Sequence, residues 1–161
     1  MTTLTLERNA APEFITVASD LLGVLNVRQS EVLSFPSGLL GFPECRSFAL
    51  VSARTAGLYW LQSVDYPVLA FLLVDPFLVF ETYAVNLTPQ DMASLDVSNP
   101  AEVAVLAIVT LSRNPGESAT ANLQGPVAVS LSARTGKQIA VNSPEFGVRC
   151  PLDLQQLAAA I

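Results

Sequence analysis

Phe35-Pro36-Ser37-Gly38-Leu39-Leu40-Gly41-Phe42-Pro43-Glu44 sets two prolines, two glycines and two phenylalanines into one short stretch, directly after a strand-like run. Proline holds φ at about −65° and glycine permits positive φ, so this is a specified turn rather than a loose loop. Leu39, Leu40 and Phe42 are too apolar for a solvated tip and are expected to pack on something. The chain on either side is written the same way, as short apolar blocks broken by turn residues.

Phe14 to Ala18, Leu22 to Val27, Phe48 to Val51, Leu58 to Leu61, Val68 to Val74, Val103 to Leu111, Val127 to Leu131 and Lys137 to Val141 all read as strands. They are short, rich in Val, Ile, Phe and Leu, and bounded by Gly, Pro, Asn, Asp or Ser. Regular spacing of this kind predicts a barrel or sandwich, and the connections are too short for repeated parallel crossovers. The fold class expected is mostly β, a small antiparallel β-barrel-like domain with one or two short helices. Val127, Val129 and Leu131 should share one face, with Ala128, Ser130 and Ser132 on the other. Val103 to Val109, apolar throughout, suits a central strand covered on both sides.

One helix is well signalled. Thr88 can cap it, Pro89 suits its first position, and Asp91 stands at capping-box spacing, followed by Met92 and Leu95 on one face. A second, weaker helical pattern covers Asp153 to Ile161, with Leu154, Leu157, Ala158 and Ile161 in phase. Residues 1–12 carry no periodic signal and are expected to form a flexible tail, leaving residues 13–161 as a single domain.

Composition narrows the chemistry. Of 161 residues, 51% are hydrophobic and only 14% charged, enough for a large core and, alternatively, for apolar surface covered by a partner. The net charge of −6 argues against direct nucleic-acid binding and favours a basic partner. There is no histidine, which removes the commonest general base and metal ligand. Two isolated cysteines, Cys45 and Cys150, read as reduced thiols, although their pairing stays open. No secretion signal or membrane-length apolar run is visible, so the expected location is the cytoplasm.

Catalysis finds no foothold. Asp65, Asp75, Glu81 and Asp91 lie near one another in sequence, but no spacing forces a carboxylate pair across a cleft. Asp65 and Asp75 instead suit turns ahead of Pro67 and Pro76, as acceptors for backbone donors. Arg46 could lower the Cys45 pKa, yet no base completes a nucleophilic pair. Phosphate-loop and EF-hand patterns are missing, and no cofactor or metal is expected. A binding surface is what remains. Asp75, Phe77, Glu81 and Tyr83 combine aromatic anchors with acids, the composition of an interface. The competing possibility is that Phe77, Phe80 and Tyr83 are core and only the acids are exposed.

Several of these segments together resemble one family. FPSGLLGFPE, WLQSVD (Trp60 to Asp65), FLLVDPF (Phe71 to Phe77), VLAIVT (Val105 to Thr110), TANLQGPV (Thr120 to Val127) and Gly136-Lys137-Gln138 are similar, in order and spacing, to the flagellar assembly factor FliW family. Phe35, Gly38, Gly41, Phe42, Asp65, Asn122 and Pro126 are the motif positions that carry the resemblance. It implies a small β-barrel-like protein without catalytic activity, which binds flagellin and the RNA-binding translational regulator CsrA. Accumulating flagellin would occupy the protein and free CsrA to repress flagellin mRNA; exported flagellin would leave it holding CsrA. An acidic binder facing the basic surface of an RNA-binding protein fits that scheme. Two alternatives stand beside it: a flagellin-dedicated chaperone without CsrA binding, and an unrelated β-barrel enzyme, which would need Asp65, Asp75 and Glu81 to converge in a pocket. The chain departs from the family pattern at Ser37, at Cys150, in its longer N-terminal tail and in its apolar last residues.

Overall fold

The computed structural model describes residues 13–159, so the expected tail and Ile161 lie outside the described residues. The described chain opens with an antiparallel hairpin, β1 (Phe14–Ser19) and β2 (Gly23–Arg28). The strands β3 (Leu33–Ser34), β4 (Ser47–Ser52), β5 (Leu58–Ser63), β6 (Ala70–Val74), β7 (Ala104–Thr110), β8 (Ala119–Ser130) and β9 (Thr135–Gln138) then form a barrel. Each pairs antiparallel with the next, and β9 returns to β3 through one parallel pairing, Ser34 opposite Thr135. Closure leaves the seven strands without an open edge. A last short strand, β10 (Cys150–Leu152), lies on the first part of β8.

The barrel is apolar on both sides of its wall. Phe35, Phe48, Leu61, Leu73, Leu106, Val127 and Val129 fill the interior, with the Phe35 and Phe48 rings edge-on at 5.0 Å. Burying each such ring contributes about 1.5–3 kcal/mol. Leu72, Val74, Ala107, Val109, Ala121 and Leu123 point the other way, under Val79, Tyr83 and Leu157. Strand β7 therefore alternates between two cores, as its continuous apolar run predicts.

Strand β8 is longer than the sequence reading, which began it at Val127. Leu106 pairs with Val127 and Ile108 with Asn122, so residues 123–126 of β8 stand opposite Ala107 alone. This bulge turns β8 over: Ala121 and Leu123 face the outer core, whereas Val127 and Val129, at the same parity, face the interior. Period-two reasoning cannot follow a strand through such a flip. The face expected to hold Leu131 is a further correction, because β8 ends at Ser130 and Leu131 is exposed in the turn beyond. Ala128, between Val127 and Val129 on the opposite face of β8, is buried with Leu95 and Ile139 in a third cluster.

Helix α1 (Pro89–Ser94) has the expected capping box, Thr88 Oγ1 accepting from Asp91 N at 3.0 Å and Asp91 Oδ2 from Thr88 N at 3.2 Å. It stops at Leu95, because Asp96 takes a left-handed φ of 58°. Helix α2 (Leu154–Ala159) caps the outer core with fully buried Leu157. Cys45 and Cys150 are free thiols.

Candidate partner-binding surface

After β6 the chain turns sharply at Asp75, whose Oδ1 accepts a hydrogen bond from Phe77 N at 3.0 Å and caps a single 3-10 turn, Pro76–Leu78. Pro76 supplies the preset φ, as the Asp-Pro reading predicts. The turn lifts Phe77, 48% exposed, and Leu78 onto the surface, and Glu81 follows, exposed and without an ion-pair partner among the described residues. A shallow groove of ≈ 340 Å³ runs beside Phe77, along Val85, Leu87, Pro100 and Val105. Three of the four residues expected to form a contact surface thus share one ridge.

The fourth does not. Tyr83 is buried at 4% exposure, and its hydroxyl donates to the Leu123 carbonyl at 2.8 Å. Its ring lies between Phe77 at 5.6 Å and, edge-on, Phe146 at 5.0 Å. Burial, with a smaller contribution from nearby Cys150, pushes the phenol up to about 12. Tyr83 is therefore a strut beneath the ridge, not an anchor upon it. Amphipathic aromatics bury a ring and satisfy a polar tip, which sequence alone cannot distinguish from exposure.

The carboxylates do not converge. Asp65 stands in the β5–β6 turn and Asp75 beyond the far end of β6, while Asp91 pairs with Lys137 at 3.0 Å beside α1. No carboxylate lines the cavities of ≈ 620, ≈ 350 and ≈ 340 Å³. The enzyme alternative loses the pocket it requires. Asp65 also lacks the turn-capping role expected of it, because Ser63 Oγ accepts from Tyr66 N at 3.0 Å instead. Cys45 is the reverse of an activated thiol: burial, then the Glu44 and Asp65 carboxylates, push its pKa up, and Arg46 turns its Nε to the Pro43 carbonyl at 3.4 Å.

A second feature was not anticipated from the sequence. In the turn that follows β3, Gly38 N donates to Phe35 O at 2.9 Å, and Leu39 and Phe42 pair with each other. Phe35 is fully buried, Phe42 meets Phe71 edge-on at 5.5 Å, and Leu40 is left 86% exposed. Across from it, Asn122 Oδ1 accepts from Gln124 N and Gly125 N at 3.1 and 3.0 Å, holding the β8 bulge. Pro126 O accepts from Ile139 N at 2.9 Å. The two segments are clamped by Gln138, whose Nε2 donates to Gly125 O and whose Oε1 accepts from Leu40 N, both at 2.8 Å.

Between them lies the ≈ 620 Å³ cleft, walled by Leu39, Leu40, Pro43, Ile139, Ala140 and Val148. Its one charged lining residue, Lys137, is held by Asp91 and Ser94, so the walls offer apolar surface and little free charge. Gln138 bonds Leu40 across 98 residues of chain, which no local pattern can reveal. The available signal was the recurrence of the turn, the NLQG segment and the GKQ segment together.

The same segments decide the relationship. The family model described as FliW protein matches residues 16–152, from within β1 through the barrel to the end of β10. The chain belongs to the FliW family. FliW of Natranaerobius thermophilus, named a flagellar assembly factor, is 33% identical over 137 residues, covering 84% of this chain and 91% of that protein. FliW of Pseudothermotoga lettingae is 34% identical over 128 residues, covering 80% and 82%. A crystal structure of the flagellar assembly factor FliW superposes with a TM-score of 0.78 at 28% identity, covering 85% of this chain and 96% of that one. FliW proteins are non-catalytic assembly factors. Among the described residues no helix is long and apolar enough to cross a membrane.

Proposed function

We propose that this FliW-family protein is a cytoplasmic flagellar assembly factor that binds flagellin and the regulator CsrA, and so relieves CsrA repression of flagellin mRNA. The observation that carries the reading is the meeting of three family segments in one open apolar cleft with its lysine neutralised. Such a surface suits binding rather than bond-breaking. Phe77 and Glu81 are the proposed contact residues on the ridge, with Asp75 shaping the turn and Tyr83 supporting it. A switch by competition needs overlapping footprints, and the protein then partitions between its partners by mass action. Direct nucleic-acid contact plays no part, since a chain of net charge −6 repels phosphate.

The test is release of RNA. Added to a preformed complex of CsrA with a flagellin-leader RNA, the protein should free the RNA in a native gel, and flagellin added afterwards should restore the complex. Flagellin binding without RNA release would leave the dedicated-chaperone reading in its place.

A further inference from the structure

We propose that the stretch following β9, residues 139–142, is an open strand edge that takes up an extended, uncharged peptide segment by strand addition. The inference rests on the reading that the cleft beside it binds a partner, and not on which partner that is. The barrel seam is one pairing long, Ser34 opposite Thr135, with Ser34 N donating to Arg134 O at 2.9 Å. Beyond it β3 gives way to the Phe35–Glu44 turn, while the chain after β9 runs on along β8. Ile139 N donates to Pro126 O at 2.9 Å and Val141 N to Gln124 O at 2.8 Å.

Along an antiparallel pair, alternate residues turn their main-chain groups to opposite sides. With Ile139 and Val141 bonded to β8, Gln138, Ala140 and Asn142 present theirs to the side that β3 has vacated. The Gln138 side chain, bonded to Leu40 N, closes the groove at its inner end. Ala140 and Asn142 are exposed, and among the described residues neither their N–H groups nor the Ala140 carbonyl has a main-chain partner. Such unpaired groups are a template for an added strand. Pro144, with no N–H to offer, ends the edge and keeps it short.

Shape limits what can reach it. Gln124 and Ala140 line both the ≈ 620 Å³ cleft and the adjoining ≈ 350 Å³ cavity, so the edge runs from one into the other. Leu40 and Val148, 86% and 55% exposed, stand as apolar walls. A main chain set between walls is reached by a single extended segment, not by the flat edge of a second barrel. Both volumes fall within the usual range of ligand sites, about 300–1,000 Å³.

Charge and hydrogen bonding set the segment's chemistry. Lys137 is the one ionised side chain lining either cavity, and Asp91 neutralises it at 3.0 Å. Around the lining residues Pro43, Pro144 and Val148, the acids Glu44 and Glu145 are matched by Arg46 and Arg149, so the rim favours neither sign. Asn122 spends its Oδ1 on Gln124 N and Gly125 N. Its Nδ2 and the exposed Gln124 side-chain amide have no partner among the described residues. Neutral amides beside apolar walls suit a peptide main chain with apolar side chains; a charged ligand would lose its hydration there without a counter-charge.

The experiment pans a random heptapeptide display library on the wild-type protein and titrates the enriched peptides into wild type, Ala140→Pro and Leu40→Asp, each variant first matched to wild type by melting temperature. Enriched peptides should be uncharged and apolar, and should bind both variants at least tenfold more weakly. Amide hydrogen exchange on wild type provides a readout that needs no variant to fold. Bound peptide should slow exchange at Ala140 and Asn142 at least tenfold, and far less at Ile139, which already bonds to Pro126. No enrichment, or binding that protects neither amide, would overturn the strand-addition site. Protection of both amides without peptide, in a protein that sediments as a dimer, would give the edge to a second copy and overturn it as well. CsrA and flagellin are titrated separately: if neither binds while the peptides do, the proposed function fails alone, and if they bind with no peptide enriched, this inference fails alone.

Discussion

Replacing each glycine of the Phe35–Glu44 turn by alanine separates two kinds of constraint. Gly41 has φ +87°, and a Cβ built there meets nothing within 4 Å. Gly41→Ala therefore costs only the left-handed backbone penalty, about 1–2 kcal/mol. Gly38 has φ +63°, but its Cβ would run into the Phe42 carbonyl oxygen and lie 2.7 and 2.8 Å from the Cα and C of Pro43. These are backbone atoms that cannot swing aside. Relief would disrupt Gly38 N to Phe35 O at 2.9 Å and the Leu39–Phe42 pair at 3.2 and 2.7 Å, each worth about 1 kcal/mol. Gly38→Ala should then cost about 3–5 kcal/mol in all. At about 2–4 °C per kcal/mol for a domain of this size, thermal unfolding should fall by a few degrees for Gly41→Ala and by about 10 °C for Gly38→Ala. Gly41→Val should lie between them, since a β-branched side chain tolerates positive φ poorly. Equal melting temperatures for the two alanine variants would refute the steric reasoning.

Tyr83→Phe leaves the Leu123 carbonyl without its donor and should cost about 1–2 kcal/mol at neutral pH. Because the buried phenol is held neutral up to about 12, its stabilisation is complete below the unfolded value near 10 and is lost as pH rises through the folded one; melting curves across that window should decline less steeply in the variant, and an equal decline would contradict the assignment. For Asp91, burial acts to raise the pKa, but the hydrogen bonds with Lys137 and Thr88 outweigh it and hold the carboxyl low. Its contribution is therefore present above the unfolded carboxylate range and lost as pH falls through the lowered value, so Asp91→Asn should cost about 1 kcal/mol at pH 7 and show a shallower acid limb in a denaturant titration. Glu81→Lys should weaken CsrA binding at low salt without moving the melting temperature, whereas Asp75→Ala should lower the melting temperature through loss of the Phe77 cap; unchanged affinity for Glu81→Lys would remove charge from the ridge.

Much of the barrel was legible because its signals are local. The Thr88–Asp91 capping box, the Asp75-Pro76 turn and the apolar run of β7 each lie within a few residues, and the structure places each as its chemistry predicts. Strands β3 and β10, with two and three residues, are too short to impose a period, and their pairing partners lie far along the chain. The β8 bulge inverts a strand at Gln124–Pro126, so alternation read from Val127 onward gives no notice of the preceding half. Of the candidate surface, Phe77 and Glu81 were readable as an aromatic and an acid following a turn. The burial of Tyr83 depends on the Leu123 carbonyl, 40 residues away, and the Gln138 clamp depends on Leu40, 98 away. Both are products of closure, which composition and spacing do not encode.

Partner switching is tested most directly by titrating purified CsrA into the protein in a calorimeter, first alone and then with saturating flagellin already bound. A switch predicts measurable binding of CsrA that flagellin abolishes. Binding that flagellin leaves untouched would mean separate, uncoupled sites and would contradict it.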